Sequence, residues 1–158
     1  MKNISYLLFL GFFISGCAEK TEKKPTGPDP VVLKSELLST DRAFSRLSEE
    51  QGLRVAYMEY IDSNGILLRP ASLPFVAGDA IDFISQTNDS SIQMTWEPQT
   101  GEVAKSGELG YTYGVYSIKP KAEDTVYYGT YINVWKRNAS GKWKLMLGSG
   151  NEGVGEQP

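Results

Sequence analysis

An α+β fold, with helices first and an antiparallel sheet after them, is what the pattern of apolar residues predicts. Up to about Ser85, apolar residues recur at helical spacing in three blocks. From Ile92 to Leu147 they fall into β-rich runs, the last two joined by the hairpin signal Asn138-Ala139-Ser140-Gly141.

The elements follow in order. Leu33, Leu37, Phe44 and Leu47 form the apolar stripe of a helix over 33–50, and Gly52 interrupts it. Leu53, Ala56, Tyr57 and Tyr60 supply a second stripe at i, i+3, i+4 and i+7. Asp62-Ser63-Asn64-Gly65 stops that helix with turn chemistry. It also opens like a calcium loop, but the later acidic ligands are missing, so a turn explains it better. Residues 66–68 start a short strand that ends at Arg69-Pro70, and 78–85 reads as a third helix. Strands are expected over 92–97, 103–106, 109–118, 125–137 and 142–147.

The ends of the chain speak about location. Met1-Lys2-Asn3 is basic, Tyr6 to Ile14 is apolar apart from one glycine, and Ser15-Gly16 precedes Cys17. That is the order of a secretory signal, and the run is shorter than the about 20 residues that span a bilayer. With Ile14-Ser15-Gly16-Cys17 as a lipobox it resembles a bacterial lipoprotein signal, with an ordinary signal peptide ending in cysteine as the alternative. The resemblance implies that Cys17 is acylated, becomes the mature N-terminus and anchors the protein to a membrane. Ala18, where sorting signals carry aspartate, implies the outer membrane, with the domain facing the periplasm or the exterior. Residues 18–32 are polar and proline-rich and read as a flexible tether, followed by one domain over 33–150 and a flexible tail over 151–158.

Composition removes much chemistry. There is no histidine, so an imidazole base, a Ser-His-Asp triad and a His-ligated zinc are excluded. The single cysteine is committed to the anchor, which leaves no disulfide and no thiolate nucleophile in the domain. The net charge is −3 and no basic run is present, which argues against nucleic acid. No metal and no cofactor are implied.

Asp41-Arg42-Ala43-Phe44, Gly52 with Ala56 and Tyr60, Leu68-Arg69-Pro70 and Gly78-Asp79-Ala80-Ile81 resemble the helical half of a SnoaL-like domain. Residues 106–114 (SGELGYTYG), Tyr131-Ile132-Asn133-Val134-Trp135 and Gly141-Lys142-Trp143 resemble its sheet half. Such domains belong to the nuclear transport factor 2-like superfamily. The resemblance implies a cone: a curved antiparallel sheet packed on three N-terminal helices around a pocket, with a possible homodimer through the open sheet face. The ketosteroid isomerases of that superfamily need an aspartate before a proline on the first strand, a tyrosine on the first helix and a second acid late in the sheet. This chain has Arg69, no tyrosine over 33–50, and Asn133 there, so isomerisation of that kind is not expected. The scytalone dehydratase branch uses histidine and is excluded.

Alternation in 125–137 puts Tyr127, Gly129, Tyr131, Asn133 and Trp135 on one face, which suits a cavity wall or a dimer face. Plain core packing of Tyr131 and Trp135 explains the same pattern. The candidate ligand-binding set is Asp41, Phe44, Tyr57, Tyr60, Arg69, Trp96, Tyr113, Tyr131, Asn133 and Trp135. Asp41 lies at the edge of the first helix stripe, where burial would raise its pKa as general acids require. Pairing with Arg69 would instead keep it ionised, and a cap or salt bridge at the helix edge is the competing account of it. Glu97 and Glu108 are weaker candidates. Two functions stay open: a non-catalytic module binding a small apolar or amphiphilic molecule or an envelope protein, and a cofactor-free lyase, isomerase or hydrolase using Asp41 with Arg69.

Overall fold

The computed structural model describes residues 29–153. The signal, the lipobox with Cys17 and all but the end of the expected tether lie outside them. Helix α1 (Pro30–Gln51) begins three residues before its apolar stripe because Asp29 caps it, the carboxylate accepting the Val31 N–H at 2.8 Å, with Pro30 in the first turn. Gly52 ends α1 at φ 95°, a left-handed conformation that glycine adopts without strain. Helix α2 (Leu53–Tyr60) starts at once, its N-terminus held by Asp89, which accepts the Arg54 N–H at 2.7 Å.

The turn residues 62–65 do not separate α2 from the first strand. They form an irregular part of it, so β1 runs Ile61–Leu68 and its register slips between Ile61 and Ile66. Asp62 accepts the Asn64 N–H at 2.9 Å there, so this carboxylate serves the bend. A two-residue strand, β2 (Phe75–Val76), had no legible sequence signal. Then come α3 (Gly78–Gln86), β3 (Ile92–Val103), β4 (Leu109–Pro120), β5 (Tyr127–Arg137) and β6 (Trp143–Glu152). The two strands expected over 92–97 and 103–106 are one long strand, bent by a register shift between Pro98 and Thr100.

The sheet order is β2-β1-β6-β5-β4-β3. Strands β3 to β6 make the expected antiparallel meander, but β1 pairs with β6 in parallel, so the sheet is mixed. The helices pack on one face. Phe44 occupies the centre of the core, its ring 4.5 Å from Trp96 and 5.0 Å from Tyr57, both edge-on. A smaller core of Ile61, Leu67, Ala80 and Ile84 joins α3 to β1. On β4 the inward residues are small, Gly110, Thr112 and Gly114, before Tyr116. At Gly110 a Cβ would lie 2.7 Å from Leu37 Cδ2 and from the Glu102 carbonyl oxygen, so glycine admits α1 against the strand. Among the described residues the other face of the sheet is uncovered and exposes Tyr111, Tyr113, Tyr128 and Ile132.

Candidate functional site

Between α1, α2 and the inner sheet face lies a cavity of about 160 Å³ with a mouth to the surface. Its walls are Phe44, Tyr57, Met94, Trp96, Tyr116 and Tyr131. A cavity of about 150 Å³ holds a benzene molecule, so this is room for one ring or a short branched chain. Tyr116 reaches the wall because Gly129 stands opposite it on β5, where a Cβ would be 2.2 Å from the ring. The polar groups of the lining are Asn133 inside and Arg69, Ser149 and Glu152 among the other lining residues.

Asp41 is fully buried, one turn before Phe44 on α1. Its Oδ1 accepts the Trp96 Nε1–H at 2.9 Å and the Asn133 Nδ2–H at 3.3 Å, and its Oδ2 accepts the Tyr131 hydroxyl at 2.8 Å. The Thr112 hydroxyl also hydrogen-bonds to it, while the Thr112 oxygen accepts the Trp135 Nε1–H at 2.9 Å. Three strands thus each send donors to one helix carboxyl group. A carboxylate offers about four lone-pair sites, and all are engaged. Burial raises the Asp41 pKa above its ordinary value and the four hydrogen bonds only partly oppose this. Burial, then the Asp41 charge, also raises the Tyr131 pKa, so its phenol stays a donor. Ser45 and Ser48 extend the seam: Ser45 Oγ accepts the Trp96 N–H at 2.8 Å, and the Ser48 hydroxyl donates to the Met94 carbonyl at 2.7 Å.

Arg69 follows β1 and is half-buried. Its Nη2 donates to the Tyr57 hydroxyl at 3.0 Å, and its Nη1 donates to the Leu68 carbonyl at 3.0 Å and, weakly, to the Gly148 carbonyl at 3.5 Å. Its Cζ lies 5.5 Å from the Tyr57 ring centroid. Among the described residues it forms no ion pair; the pairs found are Lys34–Glu102, Arg42–Glu97 and Arg137–Glu36, away from the cavity. The expected pairing with Asp41 is therefore corrected. That carboxyl group has its acceptors filled by the sheet and stands behind Trp96, Tyr131 and Asn133.

Of the sequence candidates, Phe44, Tyr57, Arg69, Trp96, Tyr131 and Asn133 line the cavity. Asp41 supports that wall from behind. Trp135 is fully buried, and Tyr60 packs on Phe44 and Trp135, so neither belongs to the mouth. Tyr113 points the other way, 42% exposed on the uncovered face, because the small residues of β4 take the inner positions. Glu97 is exposed and pairs with Arg42 at 2.6 Å, and Glu108 is an exposed turn residue. Sequence reasoning missed Tyr116, Met94, Thr112 and Glu152. For Tyr116 the glycines at 129 and 150 were a usable signal, since both strands leave space for its ring.

No protein-family model matches the sequence, and no curated protein matches it. Solved structures do resemble it. A ketosteroid isomerase-like protein from Erwinia carotovora atroseptica is similar with TM-score 0.59 and 12% identity, over 77% of this chain and 96% of that one. A nuclear transport factor 2-like protein with a cystatin-like fold, from Novosphingobium aromaticivorans, has TM-score 0.60 and 11% identity over 80% and 86%. An LEH-like epoxide hydrolase from M. tuberculosis has TM-score 0.54 and 8% identity over 80% and 84%. At such identities the likeness establishes the fold. The chain has an α+β fold like that of nuclear transport factor 2-like proteins with a cystatin-like fold, three helices packed on an open six-stranded mixed sheet.

Proposed function

We propose that the protein is an envelope lipoprotein whose SnoaL-like cone binds a small apolar or amphiphilic molecule without transforming it. One observation carries this reading: the arginine of the cavity has no counter-ion among the described residues, whereas the buried carboxyl group beside the cavity is saturated. Catalysis by Asp41 with Arg69 would need both groups to converge on a substrate, and a carboxyl group without a vacant acceptor site cannot take a substrate proton. The isomerase-like and epoxide hydrolase neighbours keep the enzymatic alternative in view. Native mass spectrometry of protein extracted from membranes tests the reading, with a bound small molecule of one-ring size as the expected result. Turnover of that molecule by the purified protein would favour the enzyme instead.

The anchor and the assembly belong to the same proposal. Cys17→Ser is expected to abolish acylation and release the protein from membranes; membrane retention with palmitate labelling would contradict the lipobox. The uncovered sheet face, with Tyr111, Tyr113, Tyr128 and Ile132, is the surface through which two copies would pair.

A further inference from the structure

We infer that the ligand is a small monocarboxylic acid with a ring-sized apolar body, its carboxylate held by Arg69 and its body lying between Phe44, Met94 and Trp96. This rests on the binding reading above and adds the charge, the number of charges and the size of the ligand.

The argument starts from how Arg69 is held. Its three acceptors are a phenol and two backbone carbonyls, all neutral. They orient the guanidinium without compensating its charge. Of the described arginines, the exposed Arg46 and Arg54 form no ion pair, while the half-buried Arg42 and Arg137 each find a carboxylate, and Arg69, half-buried like them, does not. Five N–H donors are available to a guanidinium. Nη1 spends its two on Leu68 and Gly148 and Nη2 spends one on Tyr57, so the Nε–H and the second Nη2 proton have no acceptor among the described residues. Two such N–H groups are what a carboxylate takes up in a bidentate pair, and the fork is already fixed before the ligand arrives.

Size and sign follow from the same walls. The cavity of about 160 Å³ is mostly apolar and accepts one ring. Glu152 shares the lining with Arg69, and the two charges act on Tyr116 in opposite senses. A ligand with one negative group satisfies Arg69. A second negative group would add repulsion from Glu152.

Calorimetric titration of the full-chain protein near neutral pH separates the parts of this inference, using phenylacetate, the neutral 2-phenylethanol, acetate, and the dianion phenylmalonate. Phenylacetate is expected to bind at least about tenfold more tightly than 2-phenylethanol, since charge-assisted bidentate bonds are the strong class. Acetate should show no measurable binding. Arg69→Met is expected to erase the preference for acid over alcohol. Arg69→Lys, which keeps the charge and loses the fork, should retain only part of it. Phenylmalonate should bind more weakly than phenylacetate, with Glu152→Gln narrowing that gap. If the alcohol binds as tightly as the acid, or both Arg69 variants keep the preference, the carboxylate assignment is overturned while a small-molecule pocket stands. Equal binding of both acids removes the single-charge limit. If none of the four compounds binds, this inference is overturned, while the binding reading is decided by the native mass spectrometry described above.

Discussion

Two polar groups stand close to the same aromatic cavity and are treated in opposite ways. Asp41 is walled in, fully buried, and given donors by β3, β4 and β5. Arg69 is half-buried, oriented by neutral acceptors and left without a carboxylate among the described residues. Buried polar groups are ordinarily satisfied, because an orphaned one costs about 1–3 kcal/mol. The carboxyl group obeys that rule completely, whereas the free Arg69 N–H groups are not buried and stay open to solvent or a ligand. On the binding reading proposed above, the difference separates the group that holds the fold together from the group kept available for a ligand. It also shows why sequence position misleads, since on the sequence alone a catalytic pair of the two stayed open as the alternative to binding.

The largest effect should come from breaking the closed end. Asp41→Leu leaves the Trp96, Tyr131, Asn133 and Thr112 donors without their acceptor, at about 1–3 kcal/mol for each one that water cannot reach. A loss of about 4 kcal/mol or more is expected in urea melts, a large part of the about 5–15 kcal/mol available to a small domain. Gly129→Ala comes next. Its Cβ would meet the Tyr116 ring at 2.2 Å and the Asn151 carbonyl oxygen at 2.4 Å, so overpacking should cost about 1–3 kcal/mol and displace one cavity wall.

Asp41→Asn is milder, since its amide oxygen can serve Trp96 and Asn133 while its NH2 donates to Tyr131, and about 1–2 kcal/mol is expected. Its pH dependence sharpens the comparison. The folded chain holds the Asp41 proton above the ordinary pKa of 3.8, where the unfolded chain has released it. This stabilisation is complete below about pH 3.8 and is lost as pH rises through the raised value. The gap between wild type and Asp41→Asn should therefore shrink over that window in melts at stepped pH. A gap that widens with pH would mean that the four donors outweigh burial. The smallest effect on stability belongs to the uncovered sheet face. Ile132→Lys, at 42% exposure, should alter the monomer by less than about 0.5 kcal/mol; if two copies pair through this face as proposed, it should also shift sedimentation from dimer to monomer.

Much of the fold around these two groups was legible in the sequence, and the exceptions have physical causes. The stripe Leu37–Phe44 and the alternation Tyr131-Asn133-Trp135 announced their faces because one side of each element is apolar against a core. Tyr113 was assigned inward because it is aromatic, whereas β4 turns Gly110, Thr112 and Gly114 inward to admit α1. Small residues carry little hydrophobic signal, so the helix that required them was invisible in the strand. Asp41 could be placed at the stripe edge, but its four donors come from residues 55 to 92 positions further along the chain, and only the sheet register brings them together. Ser45 and Ser48 carried no sequence signal for the same reason.

The central claim is that Asp41 stabilises and Arg69 binds. Thermal melts of wild type, Asp41→Asn and Arg69→Met, each with and without saturating phenylacetate, test it in one series, because a ligand that binds only the folded state raises the melting temperature. Asp41→Asn is expected to melt several degrees below wild type and still to be raised by the ligand. Arg69→Met is expected to melt close to wild type and to gain clearly less from the ligand than wild type does. An Arg69→Met protein that melts far lower yet responds normally, with an Asp41→Asn protein that melts normally and no longer responds, would contradict the account.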